Sequence, residues 1–262
     1  MLRNVTRLKN FAIRARDGEI GRLEHFYFDD QSWAIRYLVV NAGDWLGGRL
    51  VLVSPLALRQ AEWESKRLDV ALTKRQIENS PPIDTHQPVS RQHEAAYLGY
   101  YGYPSYWAAP NYPAALEVRR EAVAEAEALQ GRAEREPADI HLRSTEAVTG
   151  YHIQASDGEI GHVRDFIVDD ENWKIRYLEV DTRNLCPGKK VLVSPQWISR
   201  VSWADSKVYV DMTTENIQNG PEWVDSIPVT REYEHRLYSY YARSPYWAPV
   251  SEPLQNRAAS QS

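Results

Sequence analysis

The chain states its main motif twice, with a constant offset of 140 residues. Asp17-Gly18-Glu19-Ile20-Gly21 returns as Asp157-Gly158-Glu159-Ile160-Gly161. Ile35-Arg36-Tyr37-Leu38 returns as Ile175-Arg176-Tyr177-Leu178, and Val51-Leu52-Val53-Ser54-Pro55 as Val191-Leu192-Val193-Ser194-Pro195. Tyr106-Trp107 returns as Tyr246-Trp247, with no gap in between. About 38 of roughly 106 aligned positions are identical, which marks a duplication. Two copies are too few for a solenoid, and a unit of about 105 residues has the size of an ordinary domain. Two like domains are therefore predicted, 1–107 and 141–247, with a linker over 108–140 and a flexible tail over 248–262.

Each unit begins as short strands. Phe11 to Ala15 alternates with period two, and Asp17-Gly18 supplies a hairpin turn in which glycine accepts positive φ at low cost. Ile20 to Phe28 runs into the turn-rich Asp29-Asp30-Gln31-Ser32. Ile35–Val40 and Leu50–Val53 follow, the latter stopped by Pro55. Trp63 and Leu68–Val70 complete the set. The same events recur at Ile153–Ala155, Ile160–Val168, Ile175–Val180, Val191–Val193, Trp203 and Val208–Val210. Five or six short strands per unit predict a mainly β chain of two tandem units, each a small barrel or sandwich; two tandem small β-barrels would also remove exposed edges. Position 39 is Val and its repeat, 179, is Glu. Both are expected to face water, with Leu38, Val40, Leu178 and Val180 turned inward.

Each unit then turns helical. Thr73-Lys74-Arg75-Gln76 is a capping box, and Pro81-Pro82 is expected to end that helix. Ser90 and Thr230 are expected N-caps of a second helix. It carries His93, Tyr97, Tyr100 and Tyr101 at i, i+4, i+7 and i+8, and Tyr233, Leu237, Tyr240 and Tyr241 in the repeat, so each helix has one aromatic face. The Ala-, Glu- and Arg-rich stretch from Ala114 to Glu136 favours an exposed helical spacer; partial disorder is the alternative.

Composition excludes several function classes. With 43% hydrophobic and 26% charged residues, the chain reads as an ordinary soluble globular protein. No apolar run approaches the roughly 18 residues of a membrane span. Met1 to Thr6 has no apolar signal region, so a cytoplasmic location is expected. The one cysteine, Cys186, forbids an intrachain disulfide or a cysteine-based metal site. A net charge of -5, with pI near 5.8, argues against a broad phosphate-binding surface.

No constellation of catalytic groups stands out. The pairs Asp29-Asp30 and Asp169-Asp170 offer oxygens to a hard cation, but no further carboxylates fall at metal-loop spacing, so they read as turn residues. The seven histidines (25, 86, 93, 141, 152, 162 and 235) lack metal-site spacing, and His25 aligns with Asp165. Ser54 and Ser194 lack a nucleophile elbow, and Cys186 aligns with Leu46. No glycine-rich phosphate loop occurs. No catalytic, metal or cofactor-binding residue is therefore expected, and the protein is read as no enzyme. The candidate interaction surface is aromatic: Tyr97, Tyr100, Tyr101, Tyr106 and Trp107, with Tyr233, Tyr240, Tyr241, Tyr246 and Trp247. These faces either pack on their own barrel or cover the other barrel or a second chain, because Tyr and Trp bury area while keeping a polar handle. Few Lys or Arg interleave them, which disfavours stacking of single-stranded nucleic acid.

Gly150 to Asp170, Trp173 to Val180 and Val191 to Pro195 together resemble the PRC-barrel family. So do Ile13 to Asp30, Trp33 to Val40 and Val51 to Pro55. The resemblance covers about 80 residues of each unit. It implies a small β-barrel that docks onto proteins or assemblies, with no catalytic residue to carry over. The chain is similar to soluble bacterial tandem PRC-barrel proteins. Other members are the cytoplasmic barrel of the photosynthetic reaction-centre H subunit and the C-terminal domain of RimM. They imply two alternatives, an accessory in membrane electron or proton transfer and a ribosome-associated factor. The leading expectation is a non-enzymatic adaptor that pairs with itself as a homodimer. It needs no cofactor, nucleic acid or membrane insertion, and peripheral membrane association is left open.

Overall fold

The computed structural model describes residues 1–81, 89, 91–106, 141–182, 189–225 and 227–248. The first unit contains β1 (Leu2–Asn4), a one-turn helix α1 (Val5–Leu8), β2 (Ala12–Ala15), β3 (Gly18–Asp29), β4 (Ile35–Asn41) and β5 (Leu50–Val53). It continues with β6 (Leu58–Glu62), β7 (Arg67–Val70), α2 (Lys74–Glu78) and α3 (Arg91–Tyr101). The second unit repeats this series as β8 (Leu142–Ser144), α4 (Thr145–Val148), β9 (His152–Gln154), β10 (Glu159–Asp169), β11 (Lys174–Asp181) and β12 (Lys190–Val193). Then come β13 (Ile198–Ser202), β14 (Lys207–Val210), α5 (Thr214–Gln218) and α6 (Arg231–Tyr240). The protein is mainly β, with two seven-stranded sheets.

Six strands of each sheet are its own, in the orders β5-β4-β3-β2-β7-β6 and β12-β11-β10-β9-β14-β13. The seventh comes from the other unit. Strand β1 pairs antiparallel with β10, with Arg3 opposite Val168. Strand β8 pairs with β3, with Arg143 opposite Phe28. The units have exchanged their first strands and the helical turns that follow. Burial explains why these segments stay down: Leu8, Leu142 and Val148 are 2%, 0% and 1% exposed, and burying each such side chain contributes about 1–3 kcal/mol.

The exchange is arranged about an approximate two-fold axis. Ala34 forms an antiparallel bridge with Lys174, its own repeat. The Ile35 N–H donates to the Trp173 carbonyl at 2.7 Å, and the Ile175 N–H to the Trp33 carbonyl at 2.8 Å. Trp33 stacks on Phe28 with ring centres 5.2 Å apart, and Phe28 meets Phe166 of the other unit at 5.9 Å. One hydrophobic core therefore runs through both units. The ranges 1–107 and 141–247 mark the repeats, but they share this core.

Several expectations need correction. Val39 and Glu179 do not face water: they are 0% and 1% exposed, and Glu179 is covered by Asn4 of the exchanged segment together with Trp223 and Lys190 of its own unit. Trp63 and Trp203 lie in turns just past β6 and β13 instead of in strands. There the Trp63 ring packs 6.1 Å from Phe11, and that of Trp203 6.2 Å from Tyr151. Gly18 has φ +145, but Gly158 does not share a positive φ, so the hairpins differ. The Asp of each pair instead ties its hairpin to a helix start: the Lys74 and Thr214 N–H groups donate to Asp17 and Asp157, each at 2.8 Å. The Thr73 capping box forms, but α2 ends at Glu78, before Pro81. Ser90 and the linker lie outside the described residues.

Candidate interaction surface

Both exchanged segments land on the same place of the opposite sheet, with different chemistry. Strands β3 and β10 each carry a bulge, between Leu23 and His25 and between Val163 and Asp165. A bulge takes a backbone amide out of the ladder, and a buried amide needs an acceptor. In the first unit the Phe26 N–H donates to Thr145 Oγ1 at 3.2 Å. Beside it, Ser144 Oγ lies 3.1 Å from His25 Nδ1, and Glu146 lies 3.9 Å from His25 Nε2. In the second unit the Phe166 N–H donates to Asp165 Oδ1 at 2.7 Å. Asp165 also accepts from the Thr6 N–H at 3.1 Å and from Thr6 Oγ1 at 2.5 Å. The Asn4 amide bridges Asp165 at 3.2 Å and Glu179 at 3.0 Å. Trp223 Nε1 donates to Glu179 at 3.3 Å, and Lys190 Nζ stands 3.0 Å away. Three donors replace water around Glu179, which is why a mid-strand glutamate tolerates burial. Burial pushes the Asp165 and Glu179 carboxyls above their ordinary pKa and holds His25 below its own.

The aspartate pairs divide their work. Asp29 Oδ1 accepts from the Ser32 N–H at 2.7 Å, and Asp169 accepts from Asn172 at 2.9 Å and Arg176 at 3.0 Å, so these two hold the turns. Asp30 receives Arg143 Nε at 3.1 Å and Asp170 receives Arg3 Nε at 2.5 Å, each from the other unit's exchanged strand. The guanidinium of Arg3 lies 3.5 Å over Trp63, and that of Arg143 4.2 Å over Trp203. Among the described residues no group of three or more His, Cys, Asp or Glu could hold a metal ion.

Beside this seam both units line an open cleft of about 510 Å³. Trp203 and the edge of the buried Trp33 contribute aromatic surface, Lys174, Arg176 and Arg200 contribute cations, and Asp30 contributes a carboxylate that Arg143 takes up. Arg176 is taken up by Asp169 and by the Tyr246 ring at 4.0 Å. Arg200 stacks on Tyr209 at 3.8 Å. Neither Lys174 nor Arg200 has a carboxylate partner among the described residues. Burial, and then the neighbouring Arg176 and Arg36, lower the Lys174 pKa. The repeat positions of Lys174 and Arg200 are Ala34 and Gln60, so this pair of cations belongs to one side of the protein.

The aromatic helices pack mainly on their own units. Tyr97 is buried against Tyr37 at 5.0 Å, donates to the Leu52 carbonyl at 2.9 Å and accepts from the Ser54 N–H at 3.2 Å. Tyr101 and Tyr233 are also buried, and the Tyr233 hydroxyl donates to the Pro221 carbonyl at 3.1 Å. These three face inward and are not an accessible surface. Tyr241 is half-buried against Trp197. Tyr106 and Tyr246 donate to the buried carboxylates of Glu94 and Glu234, at 2.9 and 3.0 Å. Burial pushes the Tyr246 hydroxyl up to about 12. Trp247 is half-buried beneath Arg231 at 4.1 Å. Only Tyr100 and Tyr240 of the described candidates are exposed, and they donate to the Gln76 carbonyl of α2 and the Asn216 carbonyl of α5. Trp107 and Cys186 lie outside the described residues. Sequence reasoning missed the exchanged segments, since a three-residue strand with a one-turn helix has no readable period.

Residues 149–217, from the start of the second unit's own sheet into α5, match the family model of the PRC-barrel domain. No curated protein matches the chain. The first unit repeats the matched unit strand for strand, in the same sheet order. The chain carries a PRC-barrel domain at residues 149–217.

Proposed function

We propose that the protein is a non-enzymatic docking module, in which two PRC-barrels joined by strand exchange present their shared cleft to the acidic segment of a partner protein. The observation that carries this reading is the cleft itself. It is lined by both units and brings Lys174 and Arg200, without carboxylate partners, beside Trp33 and Trp203. Aromatic surface edged by cations suits an acidic chain with apolar side groups. The buried ionisable groups Asp165, Glu179 and His25 serve the seam in this reading. Pairing of two copies, expected from the sequence, is a separate part of the reading, and light scattering tests it: one single-chain mass over a wide concentration range removes it.

The test compares wild type with a Lys174→Glu/Arg200→Glu variant as immobilised bait in native extract. The reading expects a protein retained by wild type and lost from the variant, with both baits melting at the same temperature. Retention of the same proteins by both baits, or of none by wild type, overturns it.

A further inference from the structure

We infer that each exchanged segment is keyed to the unlike barrel, so that the partner this seam fits is the other kind of unit and never a second copy of the same one. The two seams hold different sets of groups at repeat-equivalent positions. On the first barrel the receiving positions are His25 and Val39, and the incoming residues are Ser144, Thr145 and Glu146. On the second barrel they are Asp165 and Glu179, met by Asn4, Val5 and Thr6.

Like pairs would mismatch these groups. Two first units would set Val5 against the Phe26 N–H, which takes its acceptor from Thr145 in this structure, and a buried amide without an acceptor is costly. They would also aim the Asn4 amide at Val39 and His25 instead of at two carboxylates. Two second units would replace Asn4 with Ser144, whose hydroxyl is too short to bridge Asp165 and Glu179. Glu146 would stand where the Thr6 hydroxyl donates to Asp165, bringing a third carboxylate to two that burial already disfavours. The Arg3–Asp170 and Arg143–Asp30 pairs are the same in both seams and discriminate nothing. Specificity lies in the groups that differ, through lost partners and like charges in the wrong pairing. Two full chains exchanging segments would therefore join the first unit of one to the second unit of the other.

Two measurements decide it. A protease site is placed within 108–140, the chain is cut, and the two halves are unfolded and refolded together. Native mass spectrometry should find more than about nine-tenths unlike pairs, where random reassortment gives about one half; the random ratio overturns the inference. The second uses the intact chain and does not depend on refolding. Asp165→His with Glu179→Val gives the second barrel the first barrel's receiving groups, and should lower the melting temperature by about 10 °C. Adding Asn4→Ser, Val5→Thr and Thr6→Glu restores the match and should recover at least half of that loss. Failure of the added changes to recover it overturns the inference.

Discussion

Asn4→Ala tests the acidic seam most sharply. The side-chain amide is 7% exposed and bridges two buried carboxylates, at 3.2 Å to Asp165 and 3.0 Å to Glu179. A hydrogen bond to a charged group contributes about 1.5–3 kcal/mol, so losing both costs about 3 kcal/mol after partial relaxation. For a protein of this size that is a fall in melting temperature of about 6–12 °C. The pH dependence follows from the direction of the shifts. Burial raises both carboxyls in the folded chain, so the folded state holds protons that the unfolded state releases. Their contribution is fully present below the ordinary carboxylate pKa and is lost as pH rises through the raised values. Removing the Asn4 donors raises those values further. The deficit of Asn4→Ala should therefore be widest at pH 8 and narrow towards pH 5, as read by circular-dichroism melts. Ser144→Ala, at the repeat position, mainly removes a helix cap and should cost about 1 kcal/mol. An Asn4→Ala deficit equal at both pH values, or no larger than that of Ser144→Ala, would refute the reasoning.

The other seam should respond to pH in the opposite sense. His25 is held below its ordinary pKa by burial, so its contribution is present above about pH 6.5 and is lost as pH falls; His25→Gln should lose less stability than wild type between pH 7 and 5 in the same melts. At Gly21 an added Cβ would lie 1.8 Å from the Asn41 carbonyl oxygen, so Gly21→Ala should cost about 3 kcal/mol in urea unfolding. Gly158→Ala, where the nearest atom is a Thr214 methyl at 3.5 Å, should stay within about 1 kcal/mol of wild type. Arg143→Ala removes both the Asp30 pair and the stack on Trp203, and should cost about 1–2 kcal/mol with a change in tryptophan fluorescence.

Most of the strand positions along each unit were legible because they rest on local signals. Alternation in Phe11–Ala15, the break at Asp29–Ser32 and the Ser54-Pro55 stop each act on their immediate neighbours. What was not legible is non-local. Glu179 reads as an outward residue because its partners, Asn4, Lys190 and Trp223, are spread across the chain. Asp30 reads as a turn residue because its ligand, Arg143, belongs to the other repeat. The aromatic spacing in α3 and α6 was legible as a face, and Tyr97 and Tyr233 are buried within their own units, one of the two uses expected for it. One clue was available in the repeat itself. His25 aligned with Asp165 and Val39 aligned with Glu179 are paired differences inside otherwise similar repeat strands, as expected where two copies meet unlike partners.

The central claim is that the two units trade their first strands, and cross-strand proton contacts measure it directly. On an isotope-labelled chain, at dilutions where light scattering gives the single-chain mass of 30.2 kDa, nuclear Overhauser spectra should link Leu2, Arg3 and Asn4 to Asp169, Val168 and Ile167. They should likewise link Leu142, Arg143 and Ser144 to Asp29, Phe28 and Tyr27. Contacts from Leu2–Asn4 to Tyr27–Asp29 of the same unit would contradict the account.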